Sequence, residues 1–202
     1  MLVIKPFFTP LDSTSETAKI FVLLFIFLIP INVEAYSARN IIAIDMETNR
    51  VLYGKKINDA HLIASISKIM TATIALEMGN LDAEVTATKT ILQAFGSAIY
   101  VQIGETLTLK DLLYGLMLRS GNDAALMIAE HVGGSVDSFV SLMNSKAQEL
   151  GMRNTNFINP HGLENKEGKG NTSTAYDMAI LTSYAMKNKE YQKIVSTKKY
   201  VT

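Results

Sequence analysis

Apolar positions along this chain follow two different periods. Residues 40–44 (NIIAI) and 50–53 (RVLY) are short runs of β-formers, separated by Asp45-Met46-Glu47-Thr48-Asn49, which has turn chemistry. A β-hairpin is expected there, followed by a connector of mixed polarity over 55–63. From residue 65 the period becomes 3.6. Ile66, Ile69, Met70, Thr73, Ile74 and Glu77 recur at helical spacing, and Gly79-Asn80 supplies a stop, so a helix is expected over 65–78. Residues 86–96 read as a weak helix or loop, and 100–105 as a brief extended piece. Thr108 is the N-cap of a helix over 109–118, with Asp111 as the acid of a capping box. Ser120-Gly121-Asn122 breaks that helix. A further helix over 123–132 ends at Gly133-Gly134. The next, over 135–150, turns Val136, Phe139, Val140, Met143, Ala147 and Leu150 inward and ends at Gly151. Residues 154–170 form a loop rich in Asn, Gly and Lys. Ser173 or Thr174 caps a helix over 175–187, and 191–202 is β-prone.

The pattern is thus one hairpin followed by a mostly helical body. A lone two-stranded hairpin is marginally stable, so the β part must pair with something more. The first 35 residues stand apart. Residues 20–33 read IFVLLFIFLIPINV, too short for a comfortable transmembrane helix; they follow Lys5 and Lys19 and end at Val33-Glu34-Ala35, a small-residue cleavage pattern. Residues 1–35 read as a signal peptide, or as an uncleaved signal anchor that would tie the chain to the membrane. Either puts the domain over 36–202 outside the cytoplasmic membrane: exported, periplasmic or on that membrane's outer face.

Composition narrows the chemistry. The 202 residues carry 19 basic and 19 acidic side chains, net charge +0, which gives no electrostatic footprint for nucleic acid. With no cysteine there is neither a disulfide nor a thiolate metal site. His61, His131 and His161 are too far apart for a His-x-x-x-His pair, so no metal is expected.

Ser65 and Lys68 stand three residues apart at the head of the first helix, on one face, with about 5–6 Å between Cβ atoms. An amine within reach of a hydroxyl is what an acylating serine needs when no histidine acts as its base. Ser65 also reads as an ordinary N-cap serine, and Lys68 as a solvated surface lysine. A cation in the first turn opposes the helix dipole, however, and partial burial would depress its pKa until a neutral amine could take the serine proton. Ser120-Gly121-Asn122 is equally a helix–helix turn or a loop that aims a hydroxyl and a carboxamide into a cleft. Arg119 and Asp123 flank it as positioning residues. His161, in Asn159-Pro160-His161-Gly162-Leu163, reads as structural, and Glu164 is not assigned a role as base.

These elements, with Gly104-Glu105, Leu112-Leu113-Tyr114-Gly115-Leu116-Met117, Ser120-Gly121-Asn122-Asp123-Ala124-Ala125, Leu142-Met143-Asn144, Glu149-Leu150-Gly151-Met152 and Phe157-Ile158-Asn159-Pro160-His161-Gly162-Leu163, stand in the order of one family. From Ala38 onward the chain resembles the serine-type D-alanyl-D-alanine carboxypeptidases, or low-molecular-mass penicillin-binding proteins. Two of the three motifs that serve this chemistry are present, Ser-x-x-Lys and a Ser-x-Asn element; the third, Lys-Thr-Gly, is not.

The resemblance implies an α+β, β-lactamase/transpeptidase-like fold: a helical body on an antiparallel sheet, with the site between them. It implies Ser65 as acyl-ester nucleophile, Lys68 as proton acceptor, Ser120 as the group passing protons to the leaving amine, and Asn122 as the binder of the substrate amide. The substrate would be the D-Ala-D-Ala end of a peptidoglycan stem peptide; β-lactam antibiotics would acylate the same serine, and no cofactor is implied. In family terms the missing Lys-Thr-Gly strand binds the substrate carboxylate and gives one of two oxyanion donors, worth about 2.7–4 kcal/mol. The expectation is therefore a partial catalytic domain whose remaining sheet strands are missing, active or surviving only as a penicillin- or peptidoglycan-binding module. A β-lactamase-like hydrolase fits the segments less well.

Overall fold

The structure, a computed structural model, describes residues 37–201. The stretch read as a signal peptide or anchor lies outside the described residues. Among those residues no helix is long and apolar enough to cross a membrane.

The hairpin forms where the β-rich runs place it. Strands β1 (Ile41–Ile44) and β2 (Val51–Lys55) pair antiparallel, with Ile41 opposite Lys55 and an irregularity between Ala43 and Ile44. Asp45 closes the turn, its carboxylate accepting from the Thr48 amide (2.8 Å) and hydroxyl (2.6 Å). Asn49 takes the left-handed conformation (φ 56°) that asparagine tolerates best after glycine.

The chain then runs through the two-residue strand β3 (His61–Leu62) and a 3₁₀ turn (Ala64–Ser67) into helix α1 (Lys68–Met78). Met70, Thr71, Ala72, Thr73, Ile74 and Ala75 are all buried. A helix apolar on nearly every side belongs in the centre, and α1 packs against each of the other five helices. Those are α2 (Leu109–Arg119), α3 (Asn122–Gly133), α4 (Val136–Glu149), α5 (Ala175–Ala185) and α6 (Lys189–Ser196). Strand β4 (Glu84–Thr86) pairs with β5 (Thr106–Thr108), and β3 pairs with β6 (Thr172–Ser173), both antiparallel. The architecture is a helical body carrying small antiparallel sheets, in keeping with an α+β class.

Four local expectations need correction. The stretch 191–202 is β-prone by composition, yet 189–196 is helix α6. Its cap Asn188 accepts from the amides of Glu190 (2.9 Å) and Tyr191 (3.2 Å), and Tyr191 and Ile194, three apart, are both buried. Amphipathic spacing against the core overrides β-propensity there. The piece 100–105 is not a strand: Tyr100 (φ 64°) and Gly104 (φ 87°) turn the backbone, and pairing begins at Thr106. Residues 86–96, read as a weak helix or loop, divide into the end of β4 and a 3₁₀ turn, Lys89–Gln93, capped by Thr88. Lastly, the first long helix begins at Lys68, not at residue 65, and no side chain caps the 3₁₀ turn before it. The helix over 109–119 begins as the sequence predicts, with the Thr108–Asp111 capping box in place; the one expected over 135–150 spans Val136–Glu149, with Ser135 as its cap. Of the two candidate caps for α5, Thr174 serves.

Candidate active site

Lys68 is the first residue of α1 and only 2% exposed. Its Nζ lies 2.7 Å from Asn122 Oδ1, 2.7 Å from the backbone carbonyl of His161, and 3.2 Å from Ser65 Oγ. Residues from three separate segments thus meet on one amine.

The first two neighbours can only accept a hydrogen bond; the third can accept or donate. A neutral amine has two N–H groups and one lone pair. The two obligatory acceptors take the two N–H groups, and the lone pair is left for the Ser65 hydroxyl. Burial pushes the Lys68 pKa down from 10.5 to about 8. Close to neutrality the amine can therefore lose its proton without breaking either short bond.

Ser65 is exposed on the 3₁₀ turn and caps nothing, so the helix-cap reading of this residue does not hold. The turn is shaped rather than relaxed. Ala64 sits at φ 44°, a region that costs a non-glycine residue about 1–3 kcal/mol and is retained where surroundings enforce it. Ser67 donates to the Ala64 carbonyl at 2.7 Å, and Gly162 (φ 91°) packs onto the same carbonyl so closely that no side chain fits. The strained turn leaves Ser65 exposed while Lys68, three residues on, is buried.

Asn122 opens α3 and is also 2% exposed. Its Nδ2 donates to the Phe95 carbonyl (2.5 Å) and its amide to the Ser97 carbonyl (2.9 Å). The donor end faces a carbonyl and the acceptor end the lysine, so the carboxamide orientation is fixed by its partners. In the structure it holds the amine; one N–H and one lone pair of the carboxamide remain for another ligand. Asp123 has the positioning role read from the sequence. Buried, it accepts from the amides of Ile99 (3.0 Å) and Val101 (3.2 Å) and fastens the loop before the second motif to α3. Arg119 is exposed and has no such contact among the described residues.

Ser120 stands at the junction of α2 and α3 in the left-handed region (φ 56°, ψ 37°). Its position two residues before Asn122 puts it beside the cluster, but among the described residues its hydroxyl has no bond to Ser65, Lys68 or Asn122. Three of the four expected groups are joined directly, then, and the fourth adjoins them through the backbone.

His161 enters through an atom that no side-chain motif reveals, its carbonyl oxygen. The imidazole is buried, and its Nδ1 accepts from the Leu163 amide (3.1 Å), which leaves the ring proton on Nε2. Burial, and then the adjacent Lys68 charge, hold its pKa down at about 4. Glu164 is exposed on the loop beyond.

Comparison with known proteins identifies the family. Residues 30–202 match the family model described as D-alanyl-D-alanine carboxypeptidase. The chain is 38% identical over 168 residues to D-alanyl-D-alanine carboxypeptidase DacF of Bacillus subtilis, covering 81% of this chain and 42% of that protein. Among solved structures, D-alanyl-D-alanine carboxypeptidase from Mycobacterium tuberculosis superposes with TM-score 0.75 at 37% identity, covering 79% of this chain and 60% of that one. A variant of the Streptomyces K15 DD-transpeptidase gives TM-score 0.75 at 36% identity, over 80% and 65% of the two chains. The chain spans about half the length of the curated relatives it matches. On its matched residues and its fold, the chain belongs to the D-alanyl-D-alanine carboxypeptidase family.

Proposed function

We propose that this protein is a serine-type D-Ala-D-Ala carboxypeptidase that removes the terminal D-alanine from peptidoglycan stem peptides. The observation that carries the reading is the Lys68 amine. It is buried, it is held by two obligatory acceptors, and its remaining direction is aimed at an exposed serine.

The steps follow from that arrangement. Ser65 Oγ attacks the penultimate carbonyl carbon while its proton passes to Lys68 Nζ. The tetrahedral adduct collapses as Ser120 relays that proton from Lys68 Nζ to the leaving nitrogen; the C–N bond breaks and D-alanine departs. Lys68, neutral again, takes a proton from the water that attacks the ester and returns it to Ser65 Oγ as the C–O bond breaks, freeing Ser65. The unused N–H and lone pair of Asn122 are suited to the amide of the bound peptide. β-Lactams present a reactive amide to the same serine and form a stable ester. Neither metal nor cofactor enters any step. The substrate lies outside the cytoplasmic membrane, in keeping with residues 1–35 acting as an export signal or anchor.

The intact protein tests this with a labelled penicillin. Covalent label should appear on wild type and vanish in Ser65→Ala, and a D-Ala-D-Ala peptide should release D-alanine. Label that persists in Ser65→Ala contradicts the reading. Label without D-alanine release favours the narrower role of a penicillin- or peptidoglycan-binding module.

A further inference from the structure

Two asparagines beyond the lysine cluster form a relay that reaches both sides of it. Asn171 is fully buried, at 0% exposure. Its Oδ1 accepts from the amides of Ile158 (2.7 Å) and Asn159 (3.1 Å), and its Nδ2 donates to the Asn159 carbonyl (2.8 Å). Three of the four bonds its carboxamide can make therefore go to the backbone of one short segment. The Asn171 carbonyl accepts from the Ile63 amide (3.0 Å), immediately before the strained Ala64 turn.

Asn159 repeats the pattern one step nearer the site. Its Oδ1 accepts from the amides of His161 (3.2 Å) and Gly162 (2.6 Å), and its Nδ2 donates to the Leu163 carbonyl (2.8 Å). These bonds curl the segment so that the His161 carbonyl points at Lys68. Thr71, on α1, donates to the Pro160 carbonyl (2.6 Å) and fastens the loop to the helix that carries the lysine. Gly162 packs on the Ala64 carbonyl and fastens it to the turn that carries the serine.

We propose that Asn171 is a positioning residue of the reaction: through Asn159 it holds the His161 carbonyl against the Lys68 amine, while its own carbonyl fixes the entry to the Ser65 turn. It touches neither reacting group. One buried residue, through its side chain on one side and its backbone carbonyl on the other, sets the spacing between the atom that orients the base and the segment that presents the nucleophile. The proposal rests on the acyl-transfer reading above. A purely structural clasp of the same strength would stabilise the loop without influencing when the amine can accept a proton.

The test measures the rate of Ser65 acylation by a labelled penicillin against pH, in intact wild type, Asn171→Ala and Asn159→Ala, with Asn165→Ala as control. Asn165 caps the exposed part of the same loop through the amides of Glu167 and Lys169 and has no link to the site. Displacing a catalytic group by even an ångström costs on the order of a hundredfold, so a fall of about ten- to a hundred-fold is expected for both relay variants. Water reaching the loosened amine should also move the midpoint of the profile upward. Asn165→Ala should keep wild-type rate and midpoint. Rates and midpoints unchanged in both relay variants overturn the positioning role while leaving the acyl-transfer reading intact. A wild type that takes no label overturns that reading instead. If Asn171→Ala does not fold, Asn159→Ala decides on the same two readouts.

Discussion

The helix starts of this protein divide into two kinds. Helices α2, α4, α5 and α6 begin with a side chain that caps the first turn: Thr108, Ser135, Thr174 and Asn188. Each also has an acid in that turn, which suits the positive end of the helix dipole. Helices α1 and α3 have no side-chain cap, although α3 keeps an acid, Asp123, in its first turn. The first residue of α1 is a buried lysine, the wrong charge for its place, and the first of α3 is the asparagine that holds it. The two starts that lack a cap are the two that supply the candidate site. Stability is given up there to keep an amine dry and a hydroxyl accessible.

The comparison can be broken most severely at Lys68. Lys68→Ala removes the proposed base and should slow acylation by about 10²–10⁴-fold, the usual range for a general base, while the helix, which prefers alanine, keeps its fold. Circular dichroism and labelling together check both halves. Next comes Gly162→Ala. A methyl there collides with the Ala64 carbonyl and must adopt φ 91°. A loss of about 1–3 kcal/mol in denaturant unfolding is expected, with slowed acylation because the Ser65 turn must move. The smallest effect is on the other side of the comparison. Thr108→Ala opens the capping box of α2 and should cost about 1 kcal/mol of stability, leaving the acylation rate unchanged. A large rate effect there would blur the distinction between the two kinds of start.

Much of this was legible from residue pattern. The helix 109–119 follows from apolar spacing plus a cap, and 136–149 from apolar spacing and a glycine stop; these signals are local. The pair Ser65–Lys68 and the segment 120–122 are legible because the chemistry resides in side chains. The ladders β3–β6 and β4–β5 are not, since strands of two or three residues hold no period and their partners are distant in sequence. Helix α6 is hidden behind Tyr191, Ile194 and Val195, which favour strands in isolation; only Tyr191 and Ile194 are buried in the core. The His161 carbonyl is hidden more deeply. A backbone atom has no residue-type signature, and only the tertiary position of the Asn159–Gly162 loop makes it a ligand of the lysine. Asn171 and Asn159 are invisible for a related reason, as their bonds go to main chain.

The central claim is that Lys68 works as a neutral base because burial has lowered its pKa to about 8. Below that value the amine is protonated and cannot take the Ser65 proton; above it the lone pair is free. The rate of Ser65 acylation by a labelled penicillin, measured from pH 6 to pH 10, should rise with pH, pass its midpoint near 8 and then level off. A rate that is flat across that range, or that falls as pH rises through 8, would contradict the account.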